Sequence, residues 1–128
     1  MTFIIDTHIF LWFINGSTEL PQNLIDMIAN LSNKCYLSIA SLWEISIKLS
    51  LGKMDMDLEF SELQYFAEKN KIQFLPISFE DIKTVRTLEF HHRDPFDRII
   101  IAQGIANNLP IVTADSNFRK YSAEILWK

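Results

Sequence analysis

Cysteine, glycine and positive charge are all scarce in this sequence: its 128 residues include one Cys, three Gly and four Pro, and twelve Lys and Arg stand against sixteen Asp and Glu. With one thiol, Cys35, no intrachain disulfide framework exists. Its place in the apolar run Cys35–Tyr36–Leu37 reads as a small buried hydrophobe, which fits a protein of the reducing cytosol. No apolar run approaches the ~18 residues of a membrane span. The stretch 3–14 is interrupted by Asp6 and His8, with no Lys or Arg ahead of it, so a secretory signal is not expected. A glycine-rich phosphate loop is absent, which excludes P-loop nucleotide hydrolysis. The formal net charge of −4 does not announce a nucleic-acid binder. That objection weakens when positions are read, because Lys48, Lys53, Arg93, Arg98, Arg119 and Lys120 lie close in sequence to acids of interest.

What is present is a chain 48% hydrophobic with 22% charged residues spread throughout, enough for one core and one domain over residues 1–128. Residues 2–5 form a short β-branched and aromatic run that stops at Asp6–Thr7, so a buried strand is expected, followed by a helix to Asn15–Gly16. Pro21 opens a second amphipathic helix carrying Leu24, Ile25 and Ile28. A strand at 35–39 and a helix at 41–51 repeat the unit. Further helices are expected at 58–70, 79–90 and 94–107, with strands at 73–77, 110–113 and 124–127. Alternation of this kind predicts an α/β fold: a three-layer α/β/α sandwich around a mostly parallel sheet of four to five strands.

Asp6 and Asp115 each follow a predicted strand, at the end where open α/β sheets form ligand crevices. Each also has a structural reading as a helix cap or turn former. Thr113, two residues before Asp115, points to the same side of its strand and can hold a carboxylate through its hydroxyl. In Asp94–Pro95–Phe96–Asp97, Asp94 suits the cap and Pro95 the first helical position, whereas Asp97 is less well explained by capping. Glu44 is spaced for an ion pair with Lys48, yet it lies one turn beyond the second strand and can lean over the same sheet end. Four oxygen donors without Cys or His suit Mg²⁺ or Mn²⁺ rather than zinc, and such a metal can activate water against a phosphodiester. His8, His91 and His92 show no metal-ligand spacing and are expected to be exposed or modestly packed. Phe10, Trp12, Phe13 and Trp43 are expected mainly in the core, with dimer or partner surfaces as the other use.

Four blocks then carry a resemblance. They are Ile5–Asp6–Thr7–His8; Ser38–Ile39–Ala40–Ser41–Leu42–Trp43–Glu44–Ile45–Ser46–Ile47–Lys48 with Gly52–Lys53; His92–Arg93–Asp94–Pro95–Phe96–Asp97–Arg98 with Ala102–Gln103; and Thr113–Ala114–Asp115. In order and spacing the chain resembles PIN-domain proteins, and more narrowly toxins of the VapC type from bacterial toxin–antitoxin pairs. The resemblance implies ribonuclease activity, a homodimer and neutralisation by a small VapB-like antitoxin, none of which follows from periodicity or composition. It matches Asp6, Glu44, Asp97 and Asp115 to an acidic quartet holding Mg²⁺ or Mn²⁺, with Asp94 as an accessory acid and Thr113 and Ser41 as supporting residues. Arg93, Arg98 and Arg119 are the expected contacts to RNA.

The rival reading is a non-catalytic α/β binding or signalling module, such as a receiver domain. That fold requires a paired acid at the first strand and a Lys after the last apolar strand, whereas Asp6 has no acidic neighbour and Lys128 is the last residue. A haloacid-dehalogenase-like phosphatase would need Asp two residues after Asp6, where His8 stands.

Overall fold

The structure is a computed structural model that describes residues 1–127. Its elements run β1 (Thr2–Ile5), α1 (Thr7–Asn15), α2 (Gln22–Ala29), β2 (Lys34–Ser38), α3 (Ile39–Ser50), α4 (Leu63–Lys69), β3 (Ile72–Leu75), α5 (Phe79–Thr87), α6 (Pro95–Ala106), β4 (Ile111–Val112) and β5 (Ile125–Leu126). Short 3₁₀ turns at Phe60–Glu62 and Ser116–Lys120 precede α4 and β5. The five strands lie in the order β3-β2-β1-β4-β5, and every neighbouring pair is parallel. The chain therefore grows outward from β1 in one direction and then returns to grow in the other. Between β1 and β4 the order reverses, and in open parallel sheets a crevice opens there beyond the strand ends.

Both sheet faces are covered, as the strand sequences require. Phe3 and Ile5 of β1 turn to one side with Cys35 and Leu37 of β2, packing against Ile9, Phe10, Leu24, Ile28, Ile45 and Leu63. Ile4 and Ile111 turn to the other side and meet Ile100 and Ile101 of α6, with Phe118 and Tyr121 from the following turn. Alternate residues of one strand thus feed two cores, which makes three layers. The expected α/β/α sandwich with a parallel sheet is the observed fold.

Several boundaries differ for identifiable reasons. The helix expected over 58–70 is split, because Glu59 and Glu62 form a reciprocal capping box around a 3₁₀ turn before α4 begins. The helix expected to reach residue 90 stops at Thr87, where Leu88 turns extended at φ −67° and ψ 139°. The loop leaving it is gathered by Arg98, whose guanidinium donates to the Glu89 and Leu88 carbonyls at 2.9 and 3.3 Å. Close approach of α6 to β4 depends on Gly104: a Cβ there would stand 2.7 Å from Ile111 Cδ1 and 2.9 Å from its Cγ1.

Candidate functional site

At the β1–β4 reversal, Asp6 leaves β1 in extended backbone and caps α1, its Oδ1 accepting from the Ile9 N–H at 2.9 Å. Its Oδ2 accepts from the Thr113 hydroxyl just beyond β4. The Thr113 Oγ1 in turn accepts from the Asp115 N–H at 3.0 Å. One hydroxyl therefore ties the ends of the two central strands and both of their acids. Asp115 caps the next 3₁₀ turn through the Asn117 N–H at 2.9 Å. Capping explains part of the role of Asp6 and Asp115; the second Asp6 oxygen is taken up by Thr113, which links it to Asp115.

Glu44 reaches the same end from α3. Thr7 Oγ1 lies 2.8 Å from Glu44 Oε1 and 2.8 Å from Ser41 Oγ. A threonine hydroxyl has one proton, so the consistent arrangement donates it to the carboxylate and accepts from Ser41. Lys48 Nζ sits 2.8 Å from Glu44 Oε2, so the expected i, i+4 pair is present. The carboxylate is nonetheless buried, at 4% exposure, rather than part of a solvated surface pair. Asp97 comes from the first turn of α6 and lies 3.2 Å from His92 Nε2 through its Oδ2. Asp94 occupies the cap position expected of it, accepting from the Phe96 and Asp97 N–H groups at 2.9 and 3.2 Å.

Electrostatics ties the four together. Burial pushes the Asp6 carboxyl up to about 6, against the lowering effect of Thr113, Ile9 and His8, and Asp115 adds to the rise. Burial also pushes Asp97 up to about 6, with Asp94, Asp115 and Glu44 adding to it and His92 opposing. The charge of Asp115 is felt at both, and that of Glu44 at Asp97, so the acids crowd one region from four different elements. Among the described residues, no three His, Cys, Asp or Glu side chains stand as a ready-made coordination cluster. Each carboxylate instead leans on a protein donor, which is how uncompensated like charges settle. An all-oxygen set with two elevated carboxyl groups fits a hard divalent cation, whose charge would offset that crowding.

The sequence-predicted basic residues fare differently. Arg93 and Arg119 are exposed. Arg98 is buried, and its guanidinium is spent on the Glu89 and Leu88 carbonyls, on Tyr121 and over the Phe90 ring at 4.1 Å. Its position is that of a loop scaffold, not of a substrate contact. Three residues near the acids escaped sequence reasoning. Thr7 adjoins Asp6, and that adjacency was the available signal; His92, expected to be exposed or modestly packed, is half-buried and also meets Asp97. Tyr121 is brought in from a distant turn, and nothing local in the sequence marks it. Of the aromatic residues, Phe10 is fully buried and Trp12 and Phe13 pack against the core, whereas Trp43 is 63% exposed. Cys35 is a buried free thiol whose pKa burial raises to about 12, consistent with an inert packing role. No described helix is long and apolar enough to cross a membrane.

Comparison with known proteins follows the same lines. Solved structures with this architecture include VapBC2 from Rickettsia felis bound to a DNA fragment from its promoter, with a TM-score of 0.74, 19% identity and 98% of each chain covered. VapBC-1 from nontypeable Haemophilus influenzae gives a TM-score of 0.70 at 14% identity, covering 98% of this chain and 97% of that one. VapBC-5 from Mycobacterium tuberculosis gives 0.61 at 20% identity, covering 98% and 95%. At such identities the likeness is one of fold. No curated protein matches the sequence at a significant level. The family model described as PIN domain matches residues 3–124, nearly the whole chain, and the chain belongs to the PIN-domain family.

Proposed function

We propose that this chain is a metal-dependent endoribonuclease, the VapC-type toxin of a toxin–antitoxin pair. The observation that carries the reading is the Asp6–Thr113–Asp115 hydrogen-bonded link across the sheet reversal, with Glu44 and Asp97 brought in beside it. Asp6, Glu44, Asp97 and Asp115 are the residues that would hold Mg²⁺ or Mn²⁺, and Asp94 acts as the helix cap that presents Asp97. When bound, such an ion supplies charge neutralisation on the phosphodiester and a more acidic water. The protein's own part is to hold the carboxylates. Thr113 fixes Asp6, Ser41 and Thr7 fix Glu44, and Lys48 balances a buried charge. Exposed Arg93 and Arg119 are suited to the phosphate backbone.

RNA is favoured as substrate by the family resemblance, and the folds of the VapBC complexes support an antitoxin partner of the VapB kind. A basic side chain of that partner entering the acidic crevice would compete with the metal. The exposed Trp43, packed edge-to-face on Phe96 at 5.3 Å beside a cavity of about 220 Å³ lined by Ala40, Ile77, Ile82, Pro95 and Ile99, supports a second copy of the chain as a neighbour. The buried free cysteine supports the cytosol as its compartment. The expected outcome in vitro is RNA cleavage only with Mg²⁺ or Mn²⁺, abolished in Asp6→Asn and Asp97→Asn without loss of fold. Undiminished cutting by both variants, or in excess chelator, would overturn the mechanism.

A further inference from the structure

Three of the four acids are each held by donors from backbone, hydroxyl or ammonium groups: Asp6 by the Ile9 N–H and the Thr113 hydroxyl, Asp115 by the Asn117 N–H, and Glu44 by Thr7 and Lys48. Among the described residues, the Asp97 side chain is met by one hydrogen-bonding partner, and it is an imidazole. An imidazole holds a carboxylate only if the nitrogen facing it carries the proton. What decides the matter lies on the far side of the ring.

His92 is half-buried, with a side-chain exposure of 13%, and its Nδ1 lies 2.8 Å from the Tyr121 hydroxyl. That hydroxyl oxygen already accepts from Arg98 Nη1 at 3.1 Å and from the His92 backbone N–H at 3.3 Å. An arginine has donors only and stays charged, and a backbone N–H cannot reverse, so both lone pairs of the phenol are permanently engaged. The phenolic proton is left to point at Nδ1. Nδ1 then accepts, and the neutral ring carries its proton on Nε2, 3.2 Å from Asp97 Oδ2. Tyr121 meets the His92 ring at 5.5 Å and 66°, which restrains the plane of the imidazole as well. Arg98, the anchor of the chain, is itself held by the Glu89 and Leu88 carbonyls.

We infer that His92 is a positioning residue: the Arg98–Tyr121–His92 chain locks the imidazole as an Nε2–H donor that clamps Oδ2 of Asp97 and leaves Oδ1 for the cation. The inference rests on the metal-nuclease reading of the site. It assigns a use to the conjunction of His92, Arg98 and a tyrosine 24 positions beyond Asp97, which packing alone does not require. It also accounts for burying a guanidinium one residue away from Asp97.

Two measurements on the full chain test it. A long-range proton–nitrogen correlation spectrum of the histidine rings, taken without metal at about pH 8, above the ordinary imidazole range, should show His92 as the Nε2–H tautomer. Tyr121→Phe should remove that preference. Calorimetric titration with Mn²⁺ in the absence of RNA should show His92→Ala weakening metal binding by ~10–100-fold, the usual cost of losing a partner that orients a ligand. His92→Gln, whose amide nitrogen reaches the place of Nε2, should restore most of it. The thermal midpoint of each variant separates these effects from unfolding, and the Gln and Phe variants carry the test if the Ala variant does not fold. An Nδ1–H tautomer in a chain that binds Mn²⁺ would overturn the clamp alone. Metal affinity within about twofold in His92→Ala, where ~10-fold or more is expected, would do the same. So would a variant that raises KM for RNA while leaving Mn²⁺ binding untouched, since His92 would then be a substrate contact. A wild-type chain with the Nε2–H ring that takes up no Mn²⁺ would instead overturn the metal reading beneath it.

Discussion

The Asp6 carboxylate caps α1 with one oxygen and accepts the Thr113 hydroxyl with the other, so structural and chemical roles coexist in a single side chain. This is why weighing cap against ligand, residue by residue, decides little for Asp6 or Asp115. For Asp94 the cap is plain, since Oδ1 accepts both of its bonds from the helix it starts. Thr113 is the sharper test at this scale. Thr113→Val keeps the shape but removes the donor to Asp6 and the acceptor for the Asp115 N–H. Leaving a buried partner unsatisfied costs about 1–3 kcal/mol, so urea unfolding should show a loss in that range. Cleavage should fall by ~10-fold or more, as it does when residues supporting a metal ligand are lost. A variant with full activity and unchanged stability would remove Thr113 from the site. Arg98 shows the converse error: an arginine inside a suggestive motif was expected to meet RNA, while the fold buries it to hold a loop.

Helices and strands place these residues: Asp6 and Asp115 come just after β1 and β4, Asp97 lies in the first turn of α6, and Glu44 in the second turn of α3. β1 ends at Ile5 and β4 at Val112, so Asp6 and Thr113 come off neighbouring parallel strands at the same level, with Ile5 opposite Val112 in the register. α6 carries Asp97 and must approach β4 closely to do so. Gly104 makes that approach possible, since any Cβ there would collide with a fully buried Ile111 side chain that has little room to move. Gly104→Val is therefore expected to destabilise the chain by about 1–3 kcal/mol through overpacking, read as a lower urea midpoint at unchanged slope. An unchanged midpoint would mean that α6 tolerates displacement from the sheet. Periodicity made the existence and type of most elements legible; the ends of the helices were less so. Glu59–Glu62 capping and the Arg98-held loop act through specific side-chain contacts that a hydrophobic pattern does not carry.

For the whole molecule, buried carboxylates are a cost to folding, to which their like-charged neighbours add. Asp6 and Asp97 each hold a proton up to about pH 6 in the folded chain. An unfolded carboxylate releases it near about pH 4. Between those values the folded state binds more protons than the unfolded one, so stability falls as pH rises through the window and stays lower above it. For the two groups the loss is on the order of a few kcal/mol. Chemical unfolding of the metal-free chain should accordingly give a higher midpoint at about pH 5 than at about pH 7. Asp6→Asn, which cannot ionise, should flatten that dependence and raise stability at neutral pH at the expense of activity. Mn²⁺ at ~100 times its Kd should return about 2.7 kcal/mol at neutral pH, because it binds the folded state alone. A midpoint that rises from pH 5 to pH 7 without metal, or that ignores Mn²⁺, would contradict this cost of burying the acids.

The amino-acid sequence by itself determined the alternation of buried strands and amphipathic helices, and with it a parallel sheet sealed on both faces. Local order is enough for this, since hydrophobic spacing dictates which face of each segment leaves water. It also determined which acids stand at strand ends or helix starts, because strand ends and cap positions are local features. Only the tertiary structure decided how those acids meet: β1 beside β4 across the reversal, Thr113 shared between Asp6 and Asp115, and Thr7 joining Ser41 to Glu44. It also decided that Arg98 turns inward and that Tyr121 reaches His92. Such contacts join residues as far apart as positions 6 and 113, and their partners are chosen by packing in space rather than by spacing along the chain.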